Sequence, residues 1–258
     1  MEVAVHFLFM TRTNAVEYIC AQFPELLLQF LDVRNLATLR ALNSPTRTFI
    51  SNAWIGAILT NNRSIDVVAR GGNAYVMRTL LNHDIIPTQS AANFAAENGH
   101  LEIVRALRAH NIHVSVIGAN WVAAQGRVEM LRELCAHNIH PSRCGADLAA
   151  WRGHFEVVRM LCAAGIHPTA DGVNLAAGRG HLEVVRLLFS NGITATAEGV
   201  DEAAGRGHLE VVRLLYSYGI YGTPFGASLA NFHGCRDVSK YLWVRCVRSC
   251  RGGISWTC

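Results

Sequence analysis

A phrase of seven residues recurs in this chain at a fixed spacing of 27 residues. Its clear copies begin at Gly99, Gly153, Gly180 and Gly207, and each reads Gly-His-(Leu/Phe)-Glu-(Val/Ile)-Val-Arg. Weaker copies begin at Gly72, Gly126 and Gly234. A fixed period of about 20 to 50 residues indicates a tandem array whose repeats bury their apolar faces by stacking on their neighbours. The period therefore predicts a repeat fold, whatever the length of the chain.

Within one repeat, residues 170–193, apolar side chains follow helical spacing in two short segments separated by a glycine. Apolar residues three and four positions apart lie on one face of a helix. The spacing therefore predicts a hairpin of two helices, and an all-α array. The residues of the two faces are Val173, Ala176 and Ala177 in the first segment and Leu182, Val185, Leu188 and Phe189 in the second.

Three further positions of the repeat predict where its helices begin and end. Glycine stands between the two helices, where the backbone is expected to be left-handed or closely approached by another segment. This glycine is therefore expected to have a structural role. The second helix ends at Gly, Asn or Asp, residue types that tolerate positive φ and form the C′ cap. Four residues later a Ser or Thr is expected to cap the next first helix. The three sets are Gly72, Gly99, Gly126, Gly153, Gly180, Gly207 and Gly234; Asp84, Asn111, Asn138, Gly165, Gly192 and Gly219; and Thr88, Ser115, Ser142, Thr169, Thr196 and Thr223.

Composition narrows the class of protein further. The chain is 51% hydrophobic and 16% charged, which argues against disorder, and its net charge of +4 does not by itself indicate a nucleic-acid partner. The eight cysteines have no disulfide-like spacing and are expected to be reduced. No signal peptide or spanning segment is recognisable. These features predict a soluble, intracellular, cytoplasmic protein without a membrane partner.

The segment 175–188, Leu-Ala-Ala-Gly-Arg-Gly-His-Leu-Glu-Val-Val-Arg-Leu-Leu, resembles the core of the ankyrin repeat. The resemblance covers residues 64 to about 248 and implies an α-solenoid of seven repeats that binds proteins. The family's repeat has about 33 residues, whereas the repeat of this chain has 27. The β-hairpin fingers are therefore expected to be missing. Arrays of such short repeats are similar to those encoded by giant DNA viruses. This resemblance implies that the protein acts in the cytoplasm of a host cell. The predicted repeats are 64–90, 91–117, 118–144, 145–171, 172–198, 199–225 and 226–252, followed by a tail, 253–258.

Residues 1–63 precede the array, and two segments within them, 23–28 and 30–43, resemble the halves of an F-box. The resemblance implies a helical module that docks on the Skp1 subunit of a ubiquitin ligase. The segment between the halves is about one helical turn short, and the usual tryptophan is not in place. The alternative is a helical cap that closes the array. The residues that carry the match are Pro24, Leu27, Leu31, Leu36 and Leu39.

No residue pattern in the chain predicts catalysis, a metal site or a cofactor. The histidines that recur at equivalent positions, such as His110 and His137, are expected about 8–10 Å apart, too far to share a zinc ion. Glu and Arg three residues apart on the second helices predict exposed ion pairs. An Asn or Asp at the middle of each first helix, for example Asn174, is expected to bond the backbone of the next repeat. We therefore predict a protein without enzymatic activity.

Partner binding should depend on the positions where repeats differ while the frame stays constant. The end of the first helix is such a position, because Trp151 stands there beside a row formed by Arg152, Arg179 and Arg206. Tryptophan and arginine are enriched in binding hot spots; alternatively, Trp151 packs against the neighbouring turn. Gln125 and Tyr221 complete the candidate surface. The prediction is a monomeric protein-interaction scaffold, with or without a ubiquitin-ligase link; the alternative is a solenoid that binds nucleic acid through its arginine rows.

Overall fold

The computed structural model describes residues 64–82 and 85–251. The predictions made for residues 1–63, including the F-box residues Pro24, Leu27, Leu31, Leu36 and Leu39, lie outside these described residues. The same holds for the predicted cap at Asp84.

The described residues form fourteen α-helices and no strand. Each helix but the last has eight to ten residues, about two to three turns, and a three-residue or shorter turn joins the two helices of a hairpin. The prediction of an all-α array of helical hairpins is confirmed. The helices are α1 (Ser64–Gly71), α2 (Ala74–Asn82), α3 (Gln89–Asn98), α4 (Leu101–Ala109), α5 (Val116–Ala124), α6 (Val128–Ala136), α7 (Arg143–Trp151), α8 (Phe155–Ala163), α9 (Ala170–Gly178), α10 (Leu182–Ser190), α11 (Ala197–Gly205), α12 (Leu209–Ser217), α13 (Pro224–Phe232) and α14 (Arg236–Arg251).

The described residues fall into two compact units that divide between His113 and Val114. In the first unit α1 packs on α3, and α2 packs on α4. In the second unit the first helices α5, α7, α9, α11 and α13 pack one on the next, and the second helices from α6 to α14 do the same. Each unit is therefore a stack of helical hairpins. The connections 137–142, 164–169, 191–196 and 218–223 contain no strand, as the short repeat predicts.

Two kinds of residue fill the core of the second unit. The first helices contribute alanines such as Ala176 and Ala177, which are fully buried and allow close helix packing. The second helices contribute larger side chains, among them Val185 and Leu188, also fully buried. Leu182 was expected on the buried face of its helix, but its side chain is only half-buried. Val184, at 2% exposure, takes the place in the core that Leu182 was expected to have.

The helix ends confirm the expected left-handed caps. Gly165, Gly192 and Gly219 have φ values of +77°, +78° and +78°, and Asn111 and Asn138 have +63° and +59°. In each case the residue lies just after a second helix, where a backbone turn of the opposite hand satisfies the last carbonyls. Glycine adopts this conformation without strain, and asparagine does so at less cost than most other residues.

The Ser and Thr caps form at four of the six predicted positions. Thr88, Ser115, Thr169 and Thr223 accept a hydrogen bond from a backbone N–H of the first turn of their helix. Ser142 and Thr196 stand at the N-cap but make no such bond. Their hydroxyls instead accept the side-chain amides of Asn120, at 3.0 Å, and Asn174, at 2.8 Å.

Two pairs of repeats show how the Asn or Asp at the middle of the preceding first helix bonds the cap residue. Asp201 is a carboxylate and can only accept, so Thr223 donates to it at 2.6 Å and accepts the N–H of Phe225. Asn174 also donates, and Thr196, which accepts its amide, makes no bond to its own helix. Ser115 caps its helix although Asn93 precedes it, so the residue type alone does not decide the cap. Both types accept the backbone N–H of the next cap residue, at 2.7 and 2.9 Å. The predicted bonding between repeats is confirmed for Asn120, Asp147, Asn174 and Asp201.

Candidate partner-binding surface

The histidine that precedes each second helix bonds the hairpin before it. His154 Nε2 lies 3.0 Å from the carbonyl oxygen of Ala124, and His181 Nε2 lies 3.1 Å from that of Trp151. Each acceptor is the last residue of a first helix, whose carbonyl has no partner within the helix. The bond joins two neighbouring hairpins. His100 and His208 make the equivalent contacts with Arg70 and Gly178.

The inter-helix glycine lies against this histidine ring. Gly180 has φ +78°, and a Cβ added there would lie 2.6 Å from His208 Nδ1. Gly153 has φ +76°, and its Cβ would lie 2.5 Å from His181 Nδ1. Burial against the preceding hairpin lowers the pKa of His181 and of His208, although the bond to a carbonyl opposes the shift. The glycine is therefore required both by backbone conformation and by the ring that covers it.

Two arginines of the predicted row also bond the preceding hairpin. Arg152 Nη1 donates to the Ala124 carbonyl at 2.9 Å, and Arg206 Nη1 donates to the Gly178 carbonyl at 2.9 Å. Both side chains remain exposed. These contacts hold the two guanidinium groups in place at the ends of the first helices.

The third arginine of the row differs, because Trp151 lies where the neighbouring repeats have Ala124 and Gly178. The Arg179 guanidinium lies over the Trp151 ring, 4.6 Å from its centroid, and that of Arg152 lies 5.7 Å from the same centroid. Trp151 is thereby half-buried. Arg179 itself is exposed and has no hydrogen-bond acceptor or carboxylate partner among the described residues.

The remaining predicted residues lie in two places. Gln125 is exposed and follows α5, in the same row as Arg152. Tyr221 is 54% exposed and lies in the connection before α13, at the opposite end of the first helices. Its ring contacts that of Tyr216 edge-on, with 5.2 Å between centroids. The structure thus groups Trp151 with the arginines and places Tyr221 elsewhere. We call the group Gln125, Trp151, Arg152, Arg179 and Arg206 the exit surface.

Sequence reasoning missed two features beyond the exit surface. The first is an aromatic cluster in which Arg245 lies over Tyr216 and Tyr241, with 5.5 and 4.5 Å to the centroids. The second is a cleft of about 360 Å³ between α11 and α13. The repeat comparison gives no signal for the cleft, because Ala124 and Gly178 at the position of Gly205 are also small.

The second helices carry the expected ion pairs on their exposed faces. Four of the five predicted pairs lie within 4.0 Å: Glu102 with Arg105 at 4.0 Å, Glu156 with Arg159 at 2.7 Å, Glu183 with Arg186 at 3.7 Å, and Glu210 with Arg213 at 3.4 Å. Exposed pairs of this kind contribute a few tenths of a kcal/mol. Their larger effect is that a glutamate neutralises each of these arginines.

The histidines and cysteines of the described ranges do not assemble into a metal site. No three His, Cys, Asp or Glu side chains within residues 64–82 and 85–251 lie close enough to hold an ion. His110, His113, His137 and His140 are exposed, whereas His167 is half-buried, which differs from the exposed position predicted for all of them. Cys135, Cys144, Cys162 and Cys235 are free thiols, and burial raises the pKa of Cys135 and Cys162.

Among the helices that the structure describes, none has both the length and the apolar character needed to cross a bilayer.

No protein-family model matches this sequence, and no curated protein matches it significantly. The fold is similar to that of the human ASB11 ankyrin repeat domain, with a TM-score of 0.51 and 17% identity over 60% of this chain and 83% of that one. The pentatricopeptide repeat protein PPR10, crystallised with an 18-nucleotide psaJ RNA element, matches at a TM-score of 0.41 and 15% identity. That match covers 95% of this chain and 44% of PPR10. Only the first likeness bears on the fold, which is that of a helical repeat protein resembling an ankyrin array.

Proposed function

We propose that this chain is a non-enzymatic scaffold of ankyrin-like repeats and that a protein partner binds its exit surface. The observation that carries the proposal is the contact of the Trp151 ring with the guanidinium groups of Arg179 and Arg152, at 4.6 and 5.7 Å. A tryptophan held between arginines is the composition of a binding hot spot. The ring is already ordered before a partner arrives, so little conformational entropy is lost on binding.

The charge at this surface favours a partner with a carboxylate at the contact. The planar guanidinium of Arg179 lies on the ring with its N–H donors unused among the described residues. A guanidinium can bind a carboxylate through two parallel hydrogen bonds. Arg159, Arg186 and Arg213 are already paired with glutamates and offer no comparable charge. We infer that the partner presents an aspartate, a glutamate or a chain terminus to Arg179.

Affinity purification with matched baits tests the proposal. Full-length wild type, Trp151→Ala, Arg179→Gln and the control Arg186→Gln serve as baits, and captured proteins are quantified by mass spectrometry. The control removes an arginine of the same kind from an ion-paired second-helix position. We expect at least one protein to be retained by wild type and control and reduced about tenfold or more by both exit-surface changes, the size of effect typical of hot spots. A partner retained equally by all four baits contradicts the proposal.

We further propose, from the sequence resemblance alone, that residues 1–63 dock on Skp1 and link the captured partner to a ubiquitin ligase. The test is binding of purified Skp1 to the full chain and to a Leu36→Ala/Leu39→Ala variant. Binding that the variant loses supports an adaptor role. Absence of binding leaves a scaffold without a ligase link, in which the N-terminal segment has another role such as closing the array.

Nucleic-acid binding through the arginine rows is the alternative function, and the geometry supports it less. Arg152 and Arg206 each donate to a backbone carbonyl, and the second-helix arginines form ion pairs. Few guanidinium groups therefore remain to contact phosphates. Nucleic-acid binding predicts an affinity that falls steeply between 50 and 200 mM salt. Titration of labelled single-stranded and duplex oligonucleotides with the full chain distinguishes the two functions.

A further inference from the structure

The cleft between α11 and α13 has walls of opposite character. Glu198 and Glu202 of α11 line one side, and Phe225 and Leu229 of α13 line the other. Arg206 and His233, which follow the two helices, also line the cleft. At Gly205 the two helices approach each other closely, since an added Cβ would lie 3.1 Å from the Leu229 Cβ. The volume of about 360 Å³ is enough for one long side chain.

The acidic side chains of the cleft differ in the partners that their carboxylates already have. Asp201 accepts from the N–H and hydroxyl of Thr223, at 2.7 and 2.6 Å, so its carboxylate holds the next repeat in place. Glu202 Oε2 is buried and accepts no hydrogen bond, but it lies 3.1 Å from Arg206 Nη2 and is ion-paired with that guanidinium. Glu198 is exposed and has no ion-pair or hydrogen-bond partner among the described residues.

These charges leave the cleft with one unbalanced negative side chain on its open wall. Glu202 and Arg206 balance each other, whereas Glu198 is balanced by no cation within the described ranges. An acidic occupant would be repelled. A purely apolar occupant would remove water from both glutamates without replacing their hydrogen bonds, which is costly.

The apolar wall fits the remaining class of occupant. Phe225 is 64% exposed, so it presents a ring to the solvent beside the carboxylates. Lysine and arginine side chains combine an apolar stem with a cationic head, and such stems lie along apolar surfaces while the head meets an anion or an aromatic face. The two walls of the cleft match the two parts of such a side chain.

We propose that the cleft between α11 and α13 receives a lysine or arginine side chain of the protein partner. The stem contacts Phe225 and Leu229, and the cationic head is bound by Glu198. The inference rests on the proposed function, because it names part of what the partner presents. It adds a second subsite of opposite charge to the subsite at Arg179.

Peptide selection on the full chain tests this assignment. A library of random displayed peptides is selected on wild type, and each enriched peptide is measured by fluorescence anisotropy against wild type, Glu198→Gln and the control Glu183→Gln. The control removes one glutamate from the ion-paired face of the second helices. Phe225→Ala tests the apolar wall, and thermal melting verifies that each variant is folded.

We expect the enriched peptides to share a lysine or arginine whose replacement by glutamine weakens binding about tenfold in wild type and control. In Glu198→Gln the same replacement should change the affinity less than twofold, and Phe225→Ala should weaken the binding of all these peptides. Peptides whose basic residue matters equally in every variant, or that carry none, overturn the assignment. If those peptides still depend on Trp151, the exit surface stands and only the cleft assignment fails; enrichment of no peptide contradicts both.

Discussion

At the residue scale, the glycine between the two helices of each hairpin has two independent requirements. One is the positive φ, which Gly180 shares with the C′ cap Gly192, at +78° for both. The other is the histidine ring of the next hairpin, which covers Gly180 and not Gly192, since an added Cβ at Gly192 meets no atom within 4 Å. The two glycines therefore allow backbone strain to be separated from steric exclusion.

Gly192→Ala and Gly180→Ala are the matched pair for this separation. We expect Gly192→Ala to lower the free energy of unfolding by about 1–2 kcal/mol, the strain of an alanine in the left-handed region. Gly180→Ala should cost at least about 1 kcal/mol more, because it also displaces His208 from its carbonyl partner. Urea denaturation at neutral pH measures both. Equal losses would show that the ring moves aside without cost.

The same histidines make stability depend on pH in a direction that can be worked out. The pKa of His181 and of His208 is lowered from 6.5, mainly by burial, so the unfolded chain binds more protons than the folded chain near and below pH 6.5. Stability from these groups is present above pH 6.5 and is lost as pH falls through that value. We expect the urea midpoint to fall between pH 7.5 and 5.5. The fall should be smaller in His181→Gln/His208→Gln, and an unchanged pH profile in that variant would contradict this assignment.

At the element scale, each helix is too short to be stable alone, and packing decides which side chains matter. Leu188 and Leu182 lie on the same helix, but Leu188 is fully buried while Leu182 is half-buried. Helices of nine residues are marginal in water, so their stability comes from the buried face. Periodicity identifies that face, although the neighbouring hairpins decide which of its residues are fully enclosed.

Leu188→Ala should destabilise the protein by about 2–5 kcal/mol, the range for a fully buried leucine that leaves a cavity. Leu182→Ala on the same helix should cost about 1.5 kcal/mol or less, because part of its side chain already contacts water. Urea midpoints of the two variants at pH 7.5 provide the comparison. A greater loss from the change at 182 would mean that the helix is rotated from the orientation described.

The start of each first helix depends on the acceptor that the preceding hairpin supplies. Asp201→Asn should lower the free energy of unfolding by about 1 kcal/mol, because the new amide takes the Thr223 lone pair that now caps α13. Asp201→Ala removes both bonds to Thr223 and should cost about 2–3 kcal/mol. Guanidinium denaturation ranks the two variants against wild type. The reverse order would contradict this account of the cap.

At the scale of the whole molecule, the second unit is a one-dimensional stack in which each hairpin packs mainly on its neighbours. The stability of such an array is close to a sum of repeat and interface terms. A hairpin with two neighbours therefore gains more than one with a single neighbour. The exposure of Phe232 and Trp243, at 84% and 60%, shows how much apolar surface the last described hairpin leaves uncovered.

Hydrogen exchange should show this gradient directly. We expect the slowest amide exchange in α7–α12, which have a hairpin on each side, and exchange at least about tenfold faster in α13 and α14. Mass-spectrometric exchange of the full chain at pH 7.5 makes the measurement. Uniform protection from α5 to α14 would mean that the unit unfolds as a single cooperative body.

The sequence alone determined the repeat, the helical hairpin and the residues that cap it, because these depend on local spacing and on backbone conformations open to few residue types. Gly165, Asn111 and the buried pair Ala176 and Ala177 could be assigned in this way. The tertiary structure decided which side chains meet across hairpins. It showed that Arg152 bonds a carbonyl while Arg179 lies on Trp151, and that a cleft lies between Glu198 and Phe225. Such contacts join residues about one repeat apart in sequence, so their geometry depends on how the hairpins stack, which the period predicts only in outline.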